Sequence, residues 1–244
     1  MINDGLNKKD SIVSFLMIGQ SNMAGRGEFG DVAPIKNDMC FMLRNGRWQK
    51  MSEPINPDRQ ILDGSFHSGI GLAASFADEY AKHYQHSIGL IPCADGGTKI
   101  AQWQPGELLY DNAVMNAKLA MRTSCLGGII WHQGESDCHT FDPEKYSRDF
   151  LYMMRTLRAE LGDESLPLII GEISENISER WKVGQAPPKM NKLLHSLKDE
   201  LCMCEIASAE GLELKADGIH FNSASYRELG KRYFLKYRML KEGY

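Results

Sequence analysis

No run of apolar residues in this 244-residue chain approaches the roughly 20 needed to cross a bilayer. Lysine and arginine form no block and the net charge is -4, so the basic stripe that phosphate binding demands is missing and nucleic acid is excluded as a partner. The polar start, "MINDGLNKKDS", has no apolar h-region behind it, which reads as a chain without a signal peptide and so as a cytoplasmic one. Six cysteines are present, at 40, 93, 125, 138, 202 and 204. Without a signal, and with a core of this size, they read as reduced thiols.

Metal and cofactor motifs are also missing. His132, Glu135, Asp137 and His139 lie close in sequence but lack the His-Glu-x-x-His spacing, so no metal is expected. Gly96-Gly97-Thr98-Lys99 lacks the Gly-x-x-x-x-Gly-Lys spacing of a phosphate loop, and no cofactor is implied. No internal repeat or linker interrupts the chain, which reads as one domain over residues 1–244. Its oligomeric state is not legible.

What is present is an alternation. Short apolar runs at 12–18, 87–92, 126–131, 166–171 and 203–207 read as buried strands. Between them, apolar residues recur at three- and four-residue steps over 68–84, 108–122, 143–161, 188–201 and 223–240, the period of helices. Asp142-Pro143 supplies an N-cap and a first-turn proline to one of these. Strands alternating with helices predict a mostly parallel sheet covered on both faces. Residues 25–64, rich in Gly, Pro, Asp and Asn, read as a long surface excursion with a short strand near 39–43.

Sites in such sheets form beyond the carboxyl ends of the strands. Ser21 stands just past the first strand, in "FLMIGQSNMAG". Beyond later strands come "CADGGT" and "HQGESD", and "DGIHFN" precedes the last helix. A serine nucleophile needs a base, and the base an orienting acid. Ser21, His220 and Asp217 can supply these, with Glu135 the rival acid. Donors for an oxyanion are the backbone N–H of Ser21, an N–H of Gly96 or Gly97, and the amide of Gln133. Trp103 is either a core residue or a wall of the substrate pocket; Asn22 and Arg26 are also set against the pocket, and Arg26, Arg44 and Glu53 are set against a sugar or plain solvent.

Methionine at position 23 breaks the Gly-x-Ser-x-Gly elbow of α/β-hydrolases. "GQSNMAGRG", "CADGGTKIAQW", "WHQGESD" and "DGIHFNSASYRELGKRY" instead resemble the SGNH hydrolase superfamily, most of all its branch of sialate O-acetylesterases and acetylxylan-esterase-like enzymes, carbohydrate esterase family six. The four motifs run in order over nearly the whole chain. The resemblance implies a three-layer α/β/α sandwich, flavodoxin-like, with about five parallel strands. It also implies a serine esterase that removes O-acetyl groups from carbohydrates, with Ser21 as nucleophile, Asp217 and His220 as acid and base, and Gln133 and Gly96 or Gly97 at the oxyanion. A lipase, thioesterase or acetyltransferase on the same site, or a non-catalytic carbohydrate-binding module, is the alternative.

Overall fold

The computed structural model describes residues 11–57 and 67–243. The polar start and residues 58–64 of the expected excursion lie outside that range. The strands are β1 (Val13–Gly19), β2 (Cys40–Arg44), β3 (Arg47–Lys50), β4 (Ile88–Pro92), β5 (Cys125–His132), β6 (Leu168–Gly171) and β7 (Cys204–Ala207). They form one sheet in the order β3-β2-β4-β1-β5-β6-β7. All pairings are parallel except that of β2 with β3.

The helices are α1 (Ser21–Ala24), α2 (Ala73–Tyr84), α3 (Leu108–Ala120), α4 (Pro143–Glu160), α5 (Ala186–Asp199) and α6 (Ser223–Glu242). The period-2 alternation of β1 shows how the sheet separates two cores. Phe15 and Met17 enter a core shared with α2 and α6, while Leu16 and Ile18 enter one shared with α3, α4 and α5. The first core is aromatic: Phe15 meets Phe76, Tyr80 and Tyr237 edge to face. The expected cap is in place, since Asp142 accepts from the Lys145 N–H, and Asn222 caps α6 by accepting from the Ser225 N–H.

The sheet has seven strands, where about five were expected. The expected five, β4-β1-β5-β6-β7, are the inner parallel set, and in chain order they run 2-1-3-4-5, the flavodoxin arrangement. The other two are a hairpin from within the 25–64 excursion, added to the edge of β4. The direction of winding reverses between β1 and β5, and their carboxyl ends therefore open a crevice. Among the described residues no helix is long and apolar enough to cross a membrane.

Candidate active site

β1 ends against β5 so closely that only glycine fits. Gly19 has φ +131°, and a Cβ there would lie 2.1 Å from the His132 carbonyl oxygen. Gln20 is extended and Ser21 opens the four-residue α1, 6% exposed at the crevice. Gly96 lies across from it: the position of a Cβ on Gly96 is 3.5 Å from Ser21 Cβ. Among the described residues neither the Ser21 nor the Gly96 N–H has an acceptor.

The base sits on the loop before α6. His220 Nδ1 is 2.9 Å from Asp217 Oδ2, while Asp217 Oδ1 accepts the N–H groups of Ile219 and His220 at 3.1 and 3.0 Å. Three residues of spacing thus close a small ring that fixes the carboxylate and turns Nε2 outward. Burial pushes Asp217 up, but these bonds to His220 and Ile219 prevail and hold it below the usual carboxylate value. Burial also lowers His220 from its ordinary value, against the opposing pull of Asp217, and the charge of Arg26 adds to the lowering. The imidazole is therefore a neutral base near pH 7.

Among the described residues no hydrogen bond joins Ser21 Oγ to His220. Their neighbours bring them together. Asn22 Nδ2 donates to the Ile219 carbonyl at 3.2 Å, and Asn22 Oδ1 accepts the Phe221 N–H at 3.4 Å, so one side chain grips both sides of His220. Asn22 is held in turn by Glu135 Oε1 at 2.5 Å and by the Tyr226 hydroxyl at 2.6 Å. Glu135 also lies 3.5 Å from His132 Nε2, and Tyr233 holds His132 Nδ1 at 3.0 Å. Glu135 is fully buried, yet the His132 imidazole 3.5 Å away and the hydrogen bond from Asn22 outweigh that burial and hold its carboxyl below the usual value. Asn22 was expected in the pocket; it is fully buried instead, and its coupling role was legible only in that it follows Ser21 directly. Tyr226 and Tyr233, both in the fourth motif, were not singled out.

The remaining expectations divide. Gly96 is buried beside Ser21, whereas Gly97 is exposed with nothing within 4 Å of its Cβ position. Gln133 is fully buried and its amide nitrogen faces inward, to Thr98 O at 2.9 Å, Asp137 Oδ2 at 2.6 Å and Gln20 Oε1 at 3.3 Å. Both of its N–H groups are thereby engaged away from the crevice. Trp103 is 1% exposed, stacked edge to face on Trp131, and its indole N–H goes to Thr98 Oγ1 at 3.1 Å. It is a core residue under the Gly96 loop. Arg44 donates to the carbonyls of Pro54 and Ile55, and Glu53 pairs with both terminal nitrogens of Arg227, so these two support the loop. Arg26 lies at the crevice, its Nη2 2.5 Å from the Cβ position of Gly96. Among the described residues no group of three His, Cys, Asp or Glu side chains is disposed to hold a metal ion.

The chain is similar to known proteins in sequence and in fold. A probable carbohydrate esterase of Arabidopsis thaliana is 30% identical over 239 residues, covering 88% of this chain and 86% of that protein. A solved Arabidopsis thaliana structure superposes with a TM-score of 0.82 at 28% identity, covering 93% of this chain and 98% of the other. NanS superposes with a TM-score of 0.75 over 98% of this chain and all of its own, at 15% identity, a likeness of fold. A carbohydrate acetylesterase from Xanthomonas citri does so at 0.59 and 18% identity, over 96% of this chain and 57% of its own. Residues 11–239 match the carbohydrate esterase family described as sialic acid-specific acetylesterase; the chain belongs to that family and is a carboxylic ester hydrolase.

Proposed function

We propose that this enzyme removes O-acetyl groups from carbohydrates through an acetyl-enzyme on Ser21. The observation that carries the reading is the His220–Asp217 pair, held by Asn22 against the residue that precedes Asn22 in the chain. Ser21 Oγ attacks the acetyl carbonyl carbon and its proton passes to His220 Nε2. The carbonyl electron pair moves to the oxygen, which meets the N–H groups of Ser21 and Gly96. The C–O bond to the sugar then breaks, and His220 returns the proton to the departing sugar oxygen. Water repeats the sequence on the acetyl-enzyme and releases acetate. Asp217 keeps the Nδ1–H tautomer and stabilises the imidazolium. Gln133 acts from beneath: it ties the Thr98 carbonyl to the Asp137 side chain and so holds the Gly96 loop against the loop after β5.

The carbohydrate acetyl ester as substrate class is supported by the family and by the relatives named above. The test is hydrolysis of an aryl acetate, of acetylated xylo-oligosaccharides and of O-acetylated sialic acids by the parent and by Ser21→Ala. The parent is expected to turn over the aryl acetate and at least one sugar class, and Ser21→Ala to be inert with an unchanged Tm. Octanoyl esters cleaved as fast as acetyl esters, with no sugar deacetylated, would overturn the reading in favour of a lipase or thioesterase.

A further inference from the structure

Loss of Gln133 from the crevice leaves two backbone N–H groups to meet the oxyanion. We propose that the Arg26 guanidinium is the third member of the oxyanion site, a catalytic residue that stabilises the tetrahedral intermediate formed on Ser21. The inference rests on the serine mechanism proposed above.

Three placements carry it. One point in space, where a Cβ on Gly96 would stand, is 2.5 Å from Arg26 Nη2 and 3.5 Å from Ser21 Cβ. The guanidinium thus lies on the face of Gly96 that looks at the nucleophile. Any side chain at position 96 would displace it, so this glycine serves the approach of the cation as well as its own N–H. Second, the group is fixed from both ends. Arg26 Nη1 donates to the Gly25 carbonyl at 2.8 Å, and the Arg26 carbonyl accepts from Lys215 Nζ at 2.9 Å, on the segment that leads to the base. A donor held before the reaction needs no reorganisation when charge develops, which is the condition for electrostatic stabilisation to be large. Third, the charge reaches the base: Arg26 is among the groups that lower His220. Asp217 faces His220 from its own loop and Glu135 from the loop after β5, both acting in the opposite direction. A cation that disfavours imidazolium in the resting enzyme, and meets an oxyanion once the proton has moved, offsets its own penalty in the transition state. That is the asymmetry by which differential binding accelerates a step.

The experiment uses a neutral aryl acetate, so that charge recognition of substrate plays no part. The parent must be active and Ser21→Ala inert; an inactive parent would sink the serine-esterase reading before Arg26 is tested. In Arg26→Gln, kcat is expected to fall by about 10²–10³, as for loss of one oxyanion donor, with KM changed little. The pH at which kcat/KM reaches half its plateau should rise, because a positive charge beside His220 is gone. Affinity for an arylboronic acid, whose adduct on Ser21 is a tetrahedral anion, should fall in step with kcat. A kcat within a few-fold of the parent, a loss confined to KM, or boronate affinity unchanged while kcat falls would each overturn the assignment. If Arg26→Gln does not fold, Arg26→Lys carries the test: boronate affinity and kcat must again fall together, and independent movement overturns it.

Discussion

Asp217 and Glu135 both act on His220, but only one touches it. Asp217 holds Nδ1 directly, whereas Glu135 reaches the same loop through Asn22. Asp217→Asn should therefore cost about 10³–10⁴ in kcat through the wrong tautomer and an unsupported imidazolium. Asp217 also raises His220, so its removal should move the acid limb of the rate profile to lower pH. Glu135→Gln should spare most of kcat at a measurable cost in Tm, because it disturbs a buried network. A Glu135→Gln enzyme with normal melting and a deeper loss of kcat than Asp217→Asn would reverse the assignment. The Asp217–His220 pair was legible because a spacing of three residues decides its contact. Gln133 and Trp103 were not. An amide, or a lone tryptophan after a loop, carries no mark in sequence of whether it turns to the crevice or to the core, and both turn to the core through Thr98.

At the scale of elements, α6 is the frame of the site. Its first turns carry Tyr226 to Asn22, and its middle carries Tyr233 to His132. α6 crosses α2 closely at Gly230, where a Cβ would fall 2.0 Å from the Leu72 carbonyl oxygen and 2.1 Å from Ser75 Oγ. Gly→Ala inside an exposed helix normally gains about 1 kcal/mol. Here the clash is with backbone, and overpacking of about 1–3 kcal/mol outweighs that gain. Gly230→Ala should lower Tm, measured by thermal unfolding, and lower kcat with it by shifting both tyrosines. A raised Tm would show that α6 can move freely over α2. The five inner strands and five helices were legible because their periods are clean, and β2 was expected as a short strand near 39–43. β3, "RWQK", has one apolar residue in four and no alternation to detect; it exists because β2 offers it a partner.

Across the whole molecule, buried and half-buried carboxylates, together with His220, set the response to acid. Burial raises Glu135 and Glu172, but the nearby His132 with a bond from Asn22, and bonds from His195, Ser208 and Ala209, bring them below their ordinary value of 4.5. Asp217 lies below its ordinary 3.8 in the same way. Groups lowered in the folded state contribute stability above their unfolded values and lose it as pH falls through the folded ones. Asp137, raised by burial, has the opposite sign. His220, lowered from its ordinary 6.5, acts in the same direction at higher pH, so Tm should begin to decline below about pH 6.5 and fall further below about pH 5, where the decline should be shallower in Glu135→Gln than in the parent. Equal slopes would remove Glu135 from the acid response.

The hairpin that lengthens the sheet has another consequence. A sheet ending at β4 would present an apolar, regular margin to any chain that met it in a crowded solution. β3 ends it with four residues, of which Arg47, Gln49 and Lys50 are exposed, and Trp48 is turned in to Thr123. A second chain docking there would find a short ladder and have to dehydrate two cations. The added hairpin thus works as a gatekeeper against edge-to-edge aggregation.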